Sequence, residues 1–172
     1  MRILLVNDDG INALGIRSLQ MALQEAGHQT ILVAPDSERS AASHSITLRR
    51  DITATNIGKD EWAISGTPVD CVVIALQKIV KEPIDLVVSG INAGQNMGED
   101  VLYSGTVAGA VEASLFGHRA IALSINAYQN QLYETATSWF VKMLELGVEN
   151  LAKPYEVINI NFPNISKEQV KG

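Results

Sequence analysis

One cysteine, Cys71, stands in a chain of 172 residues, so no intrachain disulfide is possible and a reducing compartment fits. Basic residues are outnumbered, 13 Lys and Arg against 19 Asp and Glu, for a net charge of −6. The longest basic cluster is Arg49-Arg50. A nucleic-acid surface needs a stripe of such residues, so that class is excluded. No apolar run is long enough to cross a bilayer. The opening Met1-Arg2 and four apolar residues are too short for a signal peptide. The chain reads as a soluble cytoplasmic protein. Low-complexity segments, internal repeats and linkers are missing too. Neither the dinucleotide fingerprint G-x-G-x-x-G nor the phosphate loop G-x-x-x-x-G-K-[ST] occurs. An acidic protein without these loops binds phosphate only through a metal or backbone dipoles.

What is present is a hydrophobic share of 47%, enough for one globular domain over residues 1–172. Three continuous apolar runs, "RILLV", "QTILVAP" and "IDLVVSG", have the pattern of strands buried on both faces. "RAIALSI" and "YEVININFP" add two more. Between them lie helical segments. "LGIRSLQMALQEAGH" repeats Ile16, Leu19, Leu23 and Ala26 at helical spacing and ends at Gly27. "GTPVDCVVIALQKIVKEP" starts with Thr67 as N-cap, Pro68 at the first helical position and Asp70 in the first turn. "TVAGAVEASLFGH" is a helix of small residues, and "YETATSWFVKMLELGVENL" an amphipathic one. "ITLRRDITATNIGKDEWAIS" alternates and carries turn residues, which predicts a small β excursion. Strand and helix in alternation predict a doubly wound, Rossmann-like α/β fold with a mostly parallel sheet and right-handed crossovers.

Ligands in such sheets bind beyond the carboxyl ends of the strands. Polar loops follow three strand ends here: "NDDG", "APDSERSAASHS" and "SGINAGQN". A fourth, "YSGT", opens a helix. Asp8 and Asp9 at the end of a buried strand repel each other and cost desolvation energy, so a partner is expected. A single Asp would serve as an Asx-turn or helix cap. Two carboxylates suit a hard divalent cation such as Mg²⁺ or Mn²⁺. Ser40 is a further oxygen donor or a solvated loop serine. Asn92 supplies a neutral oxygen that would complete a carboxylate–amide–hydroxyl shell. Arg39 pairs with Asp36 or Glu38, or meets a phosphate. His44 in the same loop reads as a surface residue. Ser104 or Thr106 caps the following helix, whose N-terminus could also hold an anion. Cys71, Trp62 and Trp139 read as packing, and His28 and His118 as surface.

Together, "MRILLVNDDG", "APDSERSAASHSIT", "SGTPVDCV", "DLVVSGINAGQNMGEDVLYSGTVAGAVEA" and "NINFP" resemble the SurE family, the survival-protein nucleotidases, over nearly the whole chain. The resemblance implies a metal-dependent phosphomonoesterase acting on nucleoside 5′- or 3′-monophosphates. It implies one divalent cation per subunit, Mg²⁺ or Mn²⁺ with Ca²⁺ as a crystallographic stand-in, held by Asp8, Asp9, Ser40 and Asn92. Phosphate would lie near Asn96 and the Ser104-Gly105-Thr106 turn. Asp8, Asp9, Asn96 and Ser104 would carry the chemistry. Family members continue past "NFPNISKEQVKG" into a β-rich segment and an arm used in subunit contacts, which implies a homodimer or homotetramer.

Rival readings fail on particular positions. A phosphoacceptor receiver domain needs a third Asp at the end of its central strand and a later Lys. Ser89 and Asn92 stand at the first place, and Ser124 without a Lys at the second. A haloacid-dehalogenase-type phosphatase needs D-x-D, and Asp8 and Asp9 are adjacent. A non-catalytic nucleotide or sugar-nucleotide binding protein remains the alternative, with the acidic pair against it.

Overall fold

The computed structural model describes residues 1–39, 42–153 and 155–171. Strand β1 is Arg2–Val6, and Ile3, Leu4, Leu5 and Val6 have no exposed surface at all. Alternate side chains of a strand leave opposite faces, so a strand apolar at each of these positions must be covered on both sides. Ile3 and Leu5 join one core with Ile16, Leu23 and Phe140. Leu4 and Val6 join the other, with Cys71, Val72 and Ala110.

Those two cores are roofed by different helices. Helix α1 (Leu14–Glu25) packs on the first face, where α5 (Tyr133–Glu145) also contributes Phe140 and Leu144. Helices α2 (Pro68–Ile74) and α4 (Gly105–Leu115) cover the second. Between them runs a seven-stranded sheet. Its further strands are β2 (Gln29–Pro35), β3 (Ala54–Gly58), β4 (Glu61–Ile64), β5 (Leu86–Ala93), β6 (Ala120–Ile125) and β7 (Val157–Phe162). The order is β3-β4-β2-β1-β5-β6-β7, and only the β3–β4 pair is antiparallel. In register, Ile3 of β1 lies opposite Thr30 of β2 and Leu86 of β5.

From β1 the chain crosses to β2 on one side, whereas from β5 it crosses to β6 on the other. The winding therefore reverses between β1 and β5, and their outgoing loops part there and leave a crevice. This places "NDDG" and "INAGQN" side by side.

Four local expectations are refined. The β segment after Ile46 is the β3–β4 hairpin, and β4 pairs in parallel with β2, so it widens the main sheet. β5 runs four residues beyond Ser89, its register with β6 shifting between Ser89 and Asn92 and its Gly90–Ile91 peptide cis. The stretch expected as a Gly/Asn-rich loop contains a one-turn helix, α3 (Asp100–Tyr103). Two helices are shorter than expected: α2 passes at Ala75 into a π-helical turn, Ala75–Ile79, and α5 ends before Gly147, with a 3₁₀ turn over Val148–Leu151. Helix α2 begins as its sequence indicates. Thr67 accepts from Asp70 N while the Asp70 carboxylate accepts from Thr67 N, two otherwise orphaned donors satisfied reciprocally. Among the described residues no helix is long and apolar enough to cross a membrane.

Candidate active site

Neither Asp8 nor Asp9 does the bland work open to it. Helix α1 starts behind Ala13 with no side-chain cap, and the turn after β1 is closed by Asn7, whose Nδ2 donates to Gly10 O at 2.9 Å. The two carboxylates are instead held from opposite sides of the crevice. Asp8 is 6% exposed and accepts the Thr106 hydroxyl through Oδ1. It lies against the first turn of α4, where unpaired N–H groups and the helix dipole favour negative charge. A side chain on Gly105 would not fit: its Cβ would stand 2.9 Å from both Cβ and Oδ2 of Asp8. Asp9 turns to the other bank, where its Oδ2 accepts from Ala93 N at the end of β5, at 3.2 Å.

Burial raises the Asp8 pKa, against the opposing pull of the Thr106 hydroxyl and backbone. Burial, and then the charge of Asp8, push Asp9 up to about 6. The Tyr133 phenol is pushed up to about 12, by burial and by the Asp9 charge. All three shifts describe a place where negative charge is under-solvated.

A cleft of about 550 Å³ opens over this pair, and Asn92, Asn96 and Ser104 form its walls. Two more acids, Glu38 and Asp100, stand at it, and no lysine or arginine is among the described residues that line it. The neighbouring Arg39 is paired with Asp36 at 3.0 Å. Asn92 donates Nδ2 to Gly94 O at 2.8 Å, so its carboxamide oxygen is the end available to a cation. Asn96 is buried and fixed on several sides. Its N–H donates to Asn161 Oδ1 at 2.8 Å, its carbonyl accepts from Asn159 at 2.8 Å and Asn161 at 3.1 Å, and its Nδ2 donates to Ser124 Oγ at 2.8 Å. Ser104 is the α4 cap, accepting from Val107 N at 3.1 Å.

Five expected site residues thus share one cleft: Asp8, Asp9, Asn92, Asn96 and Ser104. Gly105 and Thr106 stand behind Asp8, and Thr106 has no exposed surface. Ser40 lies outside the described residues. Among those described, no group of three His, Cys, Asp or Glu could hold a metal. The donor set is two carboxylates and an amide oxygen, which is hard-cation chemistry. That donor set fits a divalent cation, and a cleft whose described lining has four carboxylates and no lysine or arginine disfavours a bare anion.

His44, read as a surface residue, is indeed exposed, but its Nε2 meets Glu112 Oε2 of α4 at 2.7 Å and ties the loop after β2 to the site helix. Two residues that sequence reasoning missed, Tyr103 and Tyr128, also line the cleft. A lone aromatic in a loop has no periodicity to betray it.

The family described as Survival protein SurE matches residues 3–172. A 5′-nucleotidase SurE of Picosynechococcus is 44% identical over 186 residues, covering 100% of this chain and 67% of its own length. The 5′-nucleotidase SurE of Haemophilus influenzae strain 86-028NP is 45% identical over 172 residues, covering 100% of this chain and 68% of its own. The crystal structure of the SurE protein from Aquifex aeolicus superposes with a TM-score of 0.91 at 37% identity, over 99% of this chain and 69% of that one.

Proposed function

Since the chain belongs to the survival protein SurE family, we propose that it is a metal-dependent phosphomonoesterase that hydrolyses nucleoside 5′- and 3′-monophosphates to nucleoside and phosphate. The observation that carries this reading is the cleft between β1 and β5, in which buried Asp8 and half-buried Asp9 face two asparagines and a helix cap with no basic side chain among the described lining residues. Curated relatives named as 5′-nucleotidases support the substrate class.

Asp8, Asp9 and Asn92 would hold the cation, Mg²⁺ or Mn²⁺, with Ser40 as a fourth donor. When bound, such a cation offsets phosphate charge and makes water more acidic. The chain's own residues do the rest. Thr106 and the α4 N-terminus fix Asp8 in one orientation. Ala93 N–H fixes Asp9, and one of the acidic pair, beyond ligating, serves as base or nucleophile. Asn96 and Ser104 face the phosphoryl oxygens, and the Asn159–Asn161 buttress keeps Asn96 from relaxing when charge builds there. Such positioning matters because little of phosphoryl transfer is covalent chemistry for the protein to do. The same reading includes assembly as a homodimer or homotetramer in the cytoplasm.

Phosphate release from a panel of nucleoside monophosphates, with Mn²⁺, with Mg²⁺ and with excess chelator, tests this beside Asp8→Asn. Metal-dependent release that Asp8→Asn loses is expected. Release indifferent to chelator and to Asp8→Asn would sink the metal site, and no release from any nucleotide, also from a chain extended past Gly172, would sink the phosphatase reading and leave a binding protein.

A further inference from the structure

Two of the chain's four tyrosines stand at the cleft with their rings in the open. Tyr103 is 65% exposed and Tyr128 is 70% exposed, and both line the same cleft as Asp8, Asp9 and Ser104. Neither packs a core. A tyrosine left this exposed keeps a large apolar face in water, a cost that a flat ligand would remove.

Tyr128 is exposed but not loose. Its ring lies on the backbone of Gly94: a Cβ there would stand 2.3 Å from Cε1, 2.8 Å from Cδ1 and 2.9 Å from Cζ. Gly94 has φ of +108°, which a side chain would strain in any case. The segment bearing Tyr128 is pinned at both ends, by Asn126 N to Phe162 O at 2.9 Å and by Leu132 N to Asn164 Oδ1 at 2.7 Å. Gly94 N in turn donates to Ile125 O at 3.0 Å. The ring thus rests on the β5 end while most of the residue stays open to solvent. Tyr103 immediately precedes the Ser104 cap, and its carbonyl accepts from Ser43 N at 3.1 Å. Its backbone is thereby held next to the turn that would face the phosphate.

Resting on the phosphomonoesterase reading above, we infer that Tyr128, backed by Gly94, and Tyr103 form an aromatic shelf on which the nucleobase of the substrate stacks. The described lining of the cleft combines acids and amides with these two rings. A nucleoside monophosphate carries the two matching parts, a dianion for a cation site and a flat π-face for a ring. Every base has that face, so stacking binds without choosing a base by hydrogen bonds. The larger purines gain more from it than pyrimidines.

The experiment compares kcat/KM for adenosine 5′-monophosphate and ribose 5-phosphate, which has the phosphate and sugar but no base. Wild type, Tyr128→Phe, Tyr128→Ala and Tyr103→Ala are measured at one Mn²⁺ concentration. Wild type should prefer the nucleotide. Tyr128→Ala should cut that preference roughly tenfold, through KM rather than kcat, which is the size of loss that removing one stacking ring produces. Tyr103→Ala should act in the same direction, and Tyr128→Phe should keep the preference. Equal losses on both substrates in Tyr128→Ala would overturn the shelf, and so would an unchanged preference. Wild type that hydrolyses neither substrate would instead overturn the phosphomonoesterase reading.

Discussion

The hydroxyl of Thr106 donates to the carboxylate of Asp8 across 98 residues of sequence, so the first turn of α4 aims the acid that ends β1. Thr106→Val keeps the volume and removes that donor. A buried acceptor left short of a partner costs ~1–3 kcal/mol. Phosphate release should fall by an order of magnitude or more, and thermal unfolding should register the loss. Thr106→Ser should restore both. Full activity in Thr106→Val would show that Asp8 needs no aiming.

Gly105→Ala tests the same bank by space instead of bonding. The new Cβ would press on Cβ and Oδ2 of Asp8 at 2.9 Å and on Pro68 Cγ at 3.2 Å, and the Asp8 side chain must shift. Alanine is also the better helix former, by about 1 kcal/mol in a helix interior. Activity should therefore drop much more than melting temperature. Parallel loss of both would mean that the helix, not the acid, had moved.

Asp9→Asn should make the metal-free protein more stable. Burial and the neighbouring Asp8 charge both work against an ionised Asp9, and the amide removes that repulsion. A gain of ~1–2 kcal/mol in urea unfolding is expected. The same variant should lose the stabilisation that saturating Mn²⁺ gives the unaltered protein, about 4 kcal/mol at a thousandfold excess over Kd. Destabilisation of metal-free Asp9→Asn would show that the bond from Ala93 N outweighs the repulsion.

Acid stability should depend on Asp70. Burial pushes its pKa up, but hydrogen bonds from Thr47 and Thr67 outweigh this and hold it below the ordinary 3.8. A carboxylate depressed in the folded state contributes stability above its unfolded pKa and loses it as pH falls through the folded one. Stability conferred by Asp70 should thus be complete at neutral pH and disappear below about pH 4. Asp70→Asn should cost ~1–2 kcal/mol at pH 7, because the capping box and the Thr47 bonds weaken together. In urea titrations of both proteins the gap at pH 7 should narrow as the pH is taken down to 3 and below. A constant gap would place the effect in packing.

Legibility followed burial. β2 was readable to the residue because its apolar run is covered on both faces and stops where the cover stops. The start of α2 was readable because Thr67 and Asp70 satisfy each other three residues apart. The acidic pair was readable as an anomaly, two charges where a strand should still be dry. By contrast, β5 extends through Gly90 because β6 receives it in a shifted register, a tertiary condition with no local mark. The bond from Thr106 to Asp8 and the Asn159–Asn161 support of Asn96 join parts of the chain that only the crossovers bring together. Tyr128 gains its place from Gly94, a residue that reads locally as mere turn.

The central position of β1 has a consequence during synthesis. A ribosome delivers β1 ahead of both its neighbours. β2 follows after one helix, but β5, the other neighbour, emerges only after the hairpin and α2 have left the tunnel. Until then Leu4, Leu5 and Val6 present an unpaired apolar edge, the kind of surface that sticks to other nascent chains. A holding chaperone should therefore engage arrested chains in which Leu86 is still inside the tunnel and release those long enough for Ala93 to have left it.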